Sequence, residues 1–96
     1  MKIAELLSCG QRNATPLRQL EKLTGCDGRT VRMMIASERL HGVPILSDNA
    51  TGYYLPANED EKENFVCSMR HRAREIMRAA DAVERSTYET FGKAGI

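Results

Sequence analysis

Arg29, Thr30 and Arg32 fall in the stretch Gly28 to Gly42 (GRTVRMMIASERLHG), where Val31, Met34 and Ile35 repeat at the i, i+3, i+4 spacing of one helix face. On that wheel Val31, Met34, Ile35 and the stem of Glu38 turn inward. Arg29, Met33, Ala36 and Ser37 lie opposite, with Thr30 and Arg32 on the two shoulders. A guanidinium carries paired N–H donors that match the O6 and N7 of guanine, and a threonine hydroxyl bonds a base edge or a phosphate oxygen. The first two turns carry no acid beyond Asp27. Two readings stand: a helix face turned toward a nucleic acid, or arginines that are only solvated.

Further donors flank this face. Thr15, Arg18 and Lys22 belong to the preceding helical pattern and suit phosphate contacts, which position a protein without reading sequence. The free N–H groups of the two helix N-termini suit phosphates too. Asn49 and Thr51 sit in a polar loop that suits contacts to the backbone or minor groove. For each of these a solvated side chain is the plainer alternative. Tyr53 and Tyr54 alternate across a strand, so one ring is expected to pack inward and the other to face out.

Other chemistries find no support in the sequence. His41 has no His, Cys or acid at ligand spacing, and His71 falls on the polar face of a later helix, so no metal is expected. There is no Gly-rich phosphate loop, no nucleophile elbow and no acid pair in an apolar setting. No enzymatic activity, cofactor or small-molecule substrate is expected.

The elements that must position these residues are legible in order. Lys2 to Leu7 is expected to form a short first helix, ended by Cys9 and Gly10, with a polar loop after it. Thr15 suits an N-cap and Pro16 the first position of a second helix. Leu17, Leu20 and Leu23 give that helix its buried stripe, and Gly25 its left-handed exit. Asp27 caps the third helix, which Gly42 closes. Val43 to Ser47 reads as a short strand that Pro44 confines to a sheet edge. Asp48 to Gly52 is turn chemistry, and Tyr53 to Leu55 is the return strand. Helix, tight turn, helix and hairpin make the layout of a winged helix-turn-helix, in which the third helix is the one presented to the DNA major groove.

A longer helix follows. Asn58 or Glu59 opens it, its acids Glu59, Asp60, Glu61 and Glu63 suit the positive end of the dipole, and it is expected to reach Ser86 or Tyr88. That is roughly 28 residues, or ~42 Å. Val66, Met69, Ala73, Ile76, Ala80 and Val83 alternate three and four apart, with Phe65 and Met77 widening the stripe. The stripe either packs back on the core or pairs, through its distal half, with a second copy. A length of ~42 Å outruns what a body of about 55 residues covers, which favours a homodimer through Met69, Ala73, Ile76, Ala80 and Val83. The expected fold class is therefore mainly α with a small β-hairpin wing. Residues 1–57 form the winged helix-turn-helix domain, 58–88 the long C-terminal helix and 89–96 a frayed tail.

Composition bounds the rest. Ninety-six residues with 42 % apolar and 28 % charged content fit one folded domain and not a disordered chain. No apolar run approaches the ~18 residues of a membrane span. The opening MKIAELLSCG is too short and too acidic for a signal peptide, so a cytoplasmic location is expected. Cys9, Cys26 and Cys67 are odd in number and widely spaced, which points to core packing in a reducing compartment and not to disulfides or zinc. Net charge is only +1, so nucleic-acid binding requires the positive charge to gather on one face. Arg18, Lys22, Arg29, Arg32 and Arg39 lie in the helix-turn-helix, Arg70, Arg72, Arg74 and Arg78 in the last helix.

The stretch from Thr15 to Pro56 resembles the winged helix-turn-helix at the N-terminus of biotin-repressor-like proteins. It looks still more like the small stand-alone winged-helix proteins of bacteriophages and prophages of Gram-positive bacteria. The L-x-x-L-T-G turn (Leu20 to Gly25) and the R-x-V-R start of the third helix (Arg29 to Arg32) carry the likeness. So do G-V-P-I-L-S (Gly42 to Ser47), the G-Y-Y-L return (Gly52 to Leu55) and E-x-x-x-F-V-x-S-x-x-x-R-A (Glu61 to Ala73). Gly28 departs from the pattern, where a polar residue or Ala is usual. The resemblance implies sequence-specific binding of double-stranded DNA by a small transcriptional regulator, with Arg29, Thr30, Arg32 and Met33 in the reading positions. Together with Thr15, Arg18, Gly28, Ser37, Asn49 and Thr51 they make the expected interface. The alternative is a non-enzymatic protein-interaction adaptor, for example in phage replication, that docks a partner on the apolar strip of Met33, Ala36 and Leu40.

Overall fold

A computed structural model describes residues 2–86, which divide into two compact units after Phe65. The second and third expected helices are α1 (Leu17–Thr24) and α2 (Gly28–Leu40), followed by β1 (Leu46–Asp48), β2 (Gly52–Tyr54) and α3 (Glu59–Glu84). This is the winged helix-turn-helix layout, mainly α, with a two-stranded antiparallel wing and a long C-terminal helix.

Within the first unit Ile3, Leu20, Val31, Ile35 and Ile45 form the buried core, with Met34, Leu17 and Tyr53 packed against it. Gly25 exits α1 in the left-handed conformation at φ 73°, and its N–H closes on the Glu21 carbonyl. Asp27 then caps α2, its Oδ1 accepting from the Thr30 N–H at 2.8 Å. Hydrogen bonding by Thr30, through its side chain first and its backbone N–H second, holds the exposed Asp27 carboxyl below the usual carboxylate range.

The first expected helix is only a 3-10 turn, Ile3–Leu6. Four residues are too few for a stable α-helix. What holds the turn is Glu38 of α2, whose carboxylate accepts from the backbone N–H of Ile3 at 2.7 Å and of Ala4 at 3.0 Å. The polar loop after it contains a second 3-10 turn, Gln11–Asn13.

Thr15 does not cap α1. Its backbone pairs with Tyr53, donating to the Tyr53 carbonyl at 2.7 Å and accepting from the Tyr53 N–H at 2.8 Å, so the chain enters the helix from an extended bridge. Pro16 takes the cap position without a side-chain bond. Leu23, expected in the buried stripe, is 49 % exposed, because Leu20 takes the inward position on this two-turn helix.

The wing is shorter and later than its apolar run suggests. Val43 N–H is still bonded to the Glu38 carbonyl and Gly42 N–H to the Arg39 carbonyl, so the helix exit uses the donors a strand would need. Pairing begins at Leu46, which faces Tyr54; Ser47 faces Tyr53 and Asp48 faces Gly52. Tyr54 is buried and Tyr53 half-buried, so neither ring is fully outward. The core expectation for the cysteines fails at Cys9 and Cys67, which are exposed; Cys26 is half-buried. The Cys9 backbone is engaged in a bridge to Leu55, and Cys67 lies outside the half-buried stripe of α3.

Asn58 opens α3, its Oδ1 accepting from the Glu61 N–H at 2.8 Å. Glu61 in turn accepts from Ala57 N–H at 2.9 Å and from Gln11 N–H at 3.2 Å. Within the second unit α3 continues to Glu84, and its side chains from Cys67 onward are exposed, Met69 and Val83 included. Tyr88 and the tail 89–96 lie outside the described residues. No helix among those described is long and apolar enough to cross a membrane.

Candidate nucleic-acid interface

Three segments of the first unit converge on one open groove of about 470 Å³. The start of α1 contributes Arg18, α2 contributes Arg32, and the wing contributes Ser47, Asn49 and Thr51, with Tyr53 at the base. The Thr15–Tyr53 bridge makes this possible, because it fastens the beginning of α1 to the return strand of the wing. Gly52 completes the approach: at φ 118° it lies so close to the Thr15 carbonyl that an added Cβ would stand 2.3 Å from that oxygen. Only glycine fits there.

Asp48 also lines the groove, and its charge would oppose an anion. Both of its oxygens are occupied: Oδ2 accepts from Gln11 Nε2 at 2.6 Å, and Oδ1 from Ala50 N–H at 2.7 Å in a local Asx turn. Arg18 and Arg32 are exposed and hold no ion pair among the described residues. The groove therefore offers two guanidinium groups, an amide and two hydroxyls in reach of one ligand surface.

The other residues expected at the interface do not line this groove. Arg29, Thr30, Met33 and Ser37 are exposed. Thr30, Met33 and Ser37 border a shallow, largely apolar depression with Met34 and Glu38. Thr15 is half-buried in its strand bridge and Gly28 faces away from this surface: a Cβ on Gly28 would meet Leu17 at 3.1 Å and Glu21 at 3.6 Å. A side chain at Gly28 would therefore need Leu17 of α1 to give by a few tenths of an ångström. The structure thus brings Arg18, Arg32, Asn49 and Thr51 together, and sets Arg29, Thr30, Met33 and Ser37 along the exposed side of α2.

Arg39 is not a free cation. Its Nε donates to the Ile45 carbonyl at 2.7 Å and its Nη2 to Ser47 Oγ at 3.2 Å, and its guanidinium lies 5.3 Å from the centre of the Phe65 ring. Burial pushes its pKa down, with Tyr53 opposing. Arg39 ties the end of α2 to the wing. Ser47, Asp48 and Tyr53 also line the groove without being expected there; for Ser47 the available signal was its alternation with buried Leu46 on β1.

Among the described residues no group of three or more His, Cys, Asp and Glu side chains comes together to hold a metal ion. No protein-family model matches the chain, and no curated protein or solved structure matches it either.

Proposed function

We propose that this protein binds double-stranded DNA sequence-specifically, with α2 in the major groove and Arg18 and the wing on the phosphate backbone. The observation that carries the reading is the convergence of Arg18, Arg32, Asn49 and Thr51 on one open groove. A wing and a helix face separated by such a groove suit the curved flank of a duplex, where phosphates meet the wing while Arg29 and Arg32 meet base edges. We read the protein as a non-enzymatic, cytoplasmic transcriptional regulator of the phage or prophage type. That lineage rests on the sequence resemblance. Self-association through α3 would match paired half-sites.

The test is selection from a pool of random-sequence duplexes. A shared sequence motif is expected among bound molecules, and Arg32→Ala is expected to relax one position by about 1–3 kcal/mol. Failure to enrich any motif would contradict sequence-specific reading.

The exposed apolar residues of α2 favour a second reading. Met33 is 64 % and Leu40 88 % exposed, which suits docking of a protein partner by the adaptor alternative. Leu40→Glu separates the two: it leaves duplex binding unchanged under the DNA reading.

A further inference from the structure

We propose that the distal half of α3 pairs with a second copy of this chain in antiparallel orientation, with Arg70 of each copy bonded to Glu84 of the other. The inference rests on the self-association proposed above and supplies its geometry. Ala73 and Ala80 take one core position of the heptad, Ile76 and Val83 the other. The large members are exposed, Ile76 at 63 % and Val83 at 69 %.

Layer size decides the direction first. A parallel, in-register pair would set Ala73 against Ala73 and Ala80 against Ala80, alternating with wide Ile76 and Val83 layers. Two straight helices cannot follow such alternation without voids. Antiparallel pairing sets Ala73 against Val83 and Ile76 against Ala80, so every layer holds one small and one large side chain. Both copies then approach at a single spacing.

Charge fixes the register. Arg70, Met77 and Glu84 flank one side of the seam. In a parallel pair Arg70 would face Phe65 and Glu84 would face Ala79, and neither offers an opposite charge. In the antiparallel register Arg70 faces Glu84, Met77 faces Met77, and the two-fold axis repeats the ion pair. The ion pairs among the described residues, Lys62–Glu59 and Arg78–Glu75, leave both Arg70 and Glu84 uninvolved.

The experiment uses Cys67, which is exposed on α3. In the full chain carrying Cys9→Ser and Cys26→Ser, a spin label on Cys67 reports the distance between copies. The mid-point of the antiparallel pair falls at the level of Arg78, so the labels stand about 22 residues of helical rise apart, about 33 Å. A separation within about 20 Å, the width of two side-by-side helices, would overturn the orientation. A monomeric mass by sedimentation at tens of micromolar would overturn the pairing itself, and retained duplex binding by that monomer would leave the DNA reading standing. Charge reversal gives an independent arm on the unlabelled chain. Arg70→Glu alone and Glu84→Arg alone are each expected to weaken self-association roughly tenfold, with the double variant recovering to within about threefold. Equal weakening in the double variant would contradict the ion pair.

Discussion

The backbone of Thr15 is bonded at both its N–H and its carbonyl to Tyr53, at 2.7 and 2.8 Å. This bridge joins the chain two residues before α1 to the return strand of the wing, 38 positions later in the sequence. It makes the groove between Arg18, Arg32 and the wing a property of the folded frame and not of a loop that must close on its ligand.

Gly52 is the point at which that frame is most exposed to a single substitution. Gly52→Ala demands a Cβ at φ 118° and at 2.3 Å from the Thr15 carbonyl oxygen. Strain and overlap together are expected to cost about 2–4 kcal/mol in urea denaturation. A loss under about 0.5 kcal/mol would show that the wing is not fastened to Thr15.

Glu38 anchors the N-terminal turn through two backbone donors, at Ile3 and Ala4. Ile3 is fully buried, so losing the anchor releases a core side chain as well. Glu38→Ala is expected to cost about 1.5–3 kcal/mol, the range for hydrogen bonds to a charged group. Hydrogen exchange should show the amides of Ile3 and Ala4 losing protection before those of α2. Unchanged protection at both amides would contradict the anchoring role.

The cap of α2 gives a pH signature. The Asp27 carboxyl is held below its usual range by its hydrogen bonds to Thr30. A depressed pKa in the folded state means the cap's contribution is complete above the unfolded carboxyl value of about 3.9 and is lost as pH falls through the folded value. The melting temperatures of the natural chain and Asp27→Ala should differ at neutral pH and converge as pH falls below about 4. A gap that stays constant through this range would show that the carboxylate is not the capping group.

Much of the fold was legible because its signals are local. Gly25, Asp27 and Asn58 do at their positions what residues of their type do at helix ends, and Val31 with Ile35 turns inward as spacing demands. What could not be read was set by partners distant in the chain. Thr-Pro has the form of a cap and first turn, yet the Thr15 backbone is claimed by Tyr53. The run Val43 to Ser47 has β composition, yet its first donors close the end of α2. The candidate interface divides in the same way. The exposed face of α2 followed from the helical wheel, whereas the gathering of Arg18 and Arg32 with Asn49 and Thr51 required the strand bridge. Arg39 looked like one more basic residue until its bonds to Ile45 and Ser47 made it part of the scaffold.

The division among the arginines separates groove from scaffold in a single measurement. Binding to a duplex is measured across a salt series for the natural chain and for Arg18→Ala, Arg32→Ala and Arg39→Ala. Each phosphate contact contributes about −0.9 to the slope of log affinity against log salt. Arg18→Ala is expected to reduce that slope by about one contact, and Arg32→Ala to lose about 1–3 kcal/mol of affinity for the preferred sequence. Arg39→Ala should lower the unfolding midpoint and leave the slope unchanged. No salt-dependent binding by the natural chain, or equal slopes in the natural chain and Arg18→Ala, would contradict duplex binding through this groove.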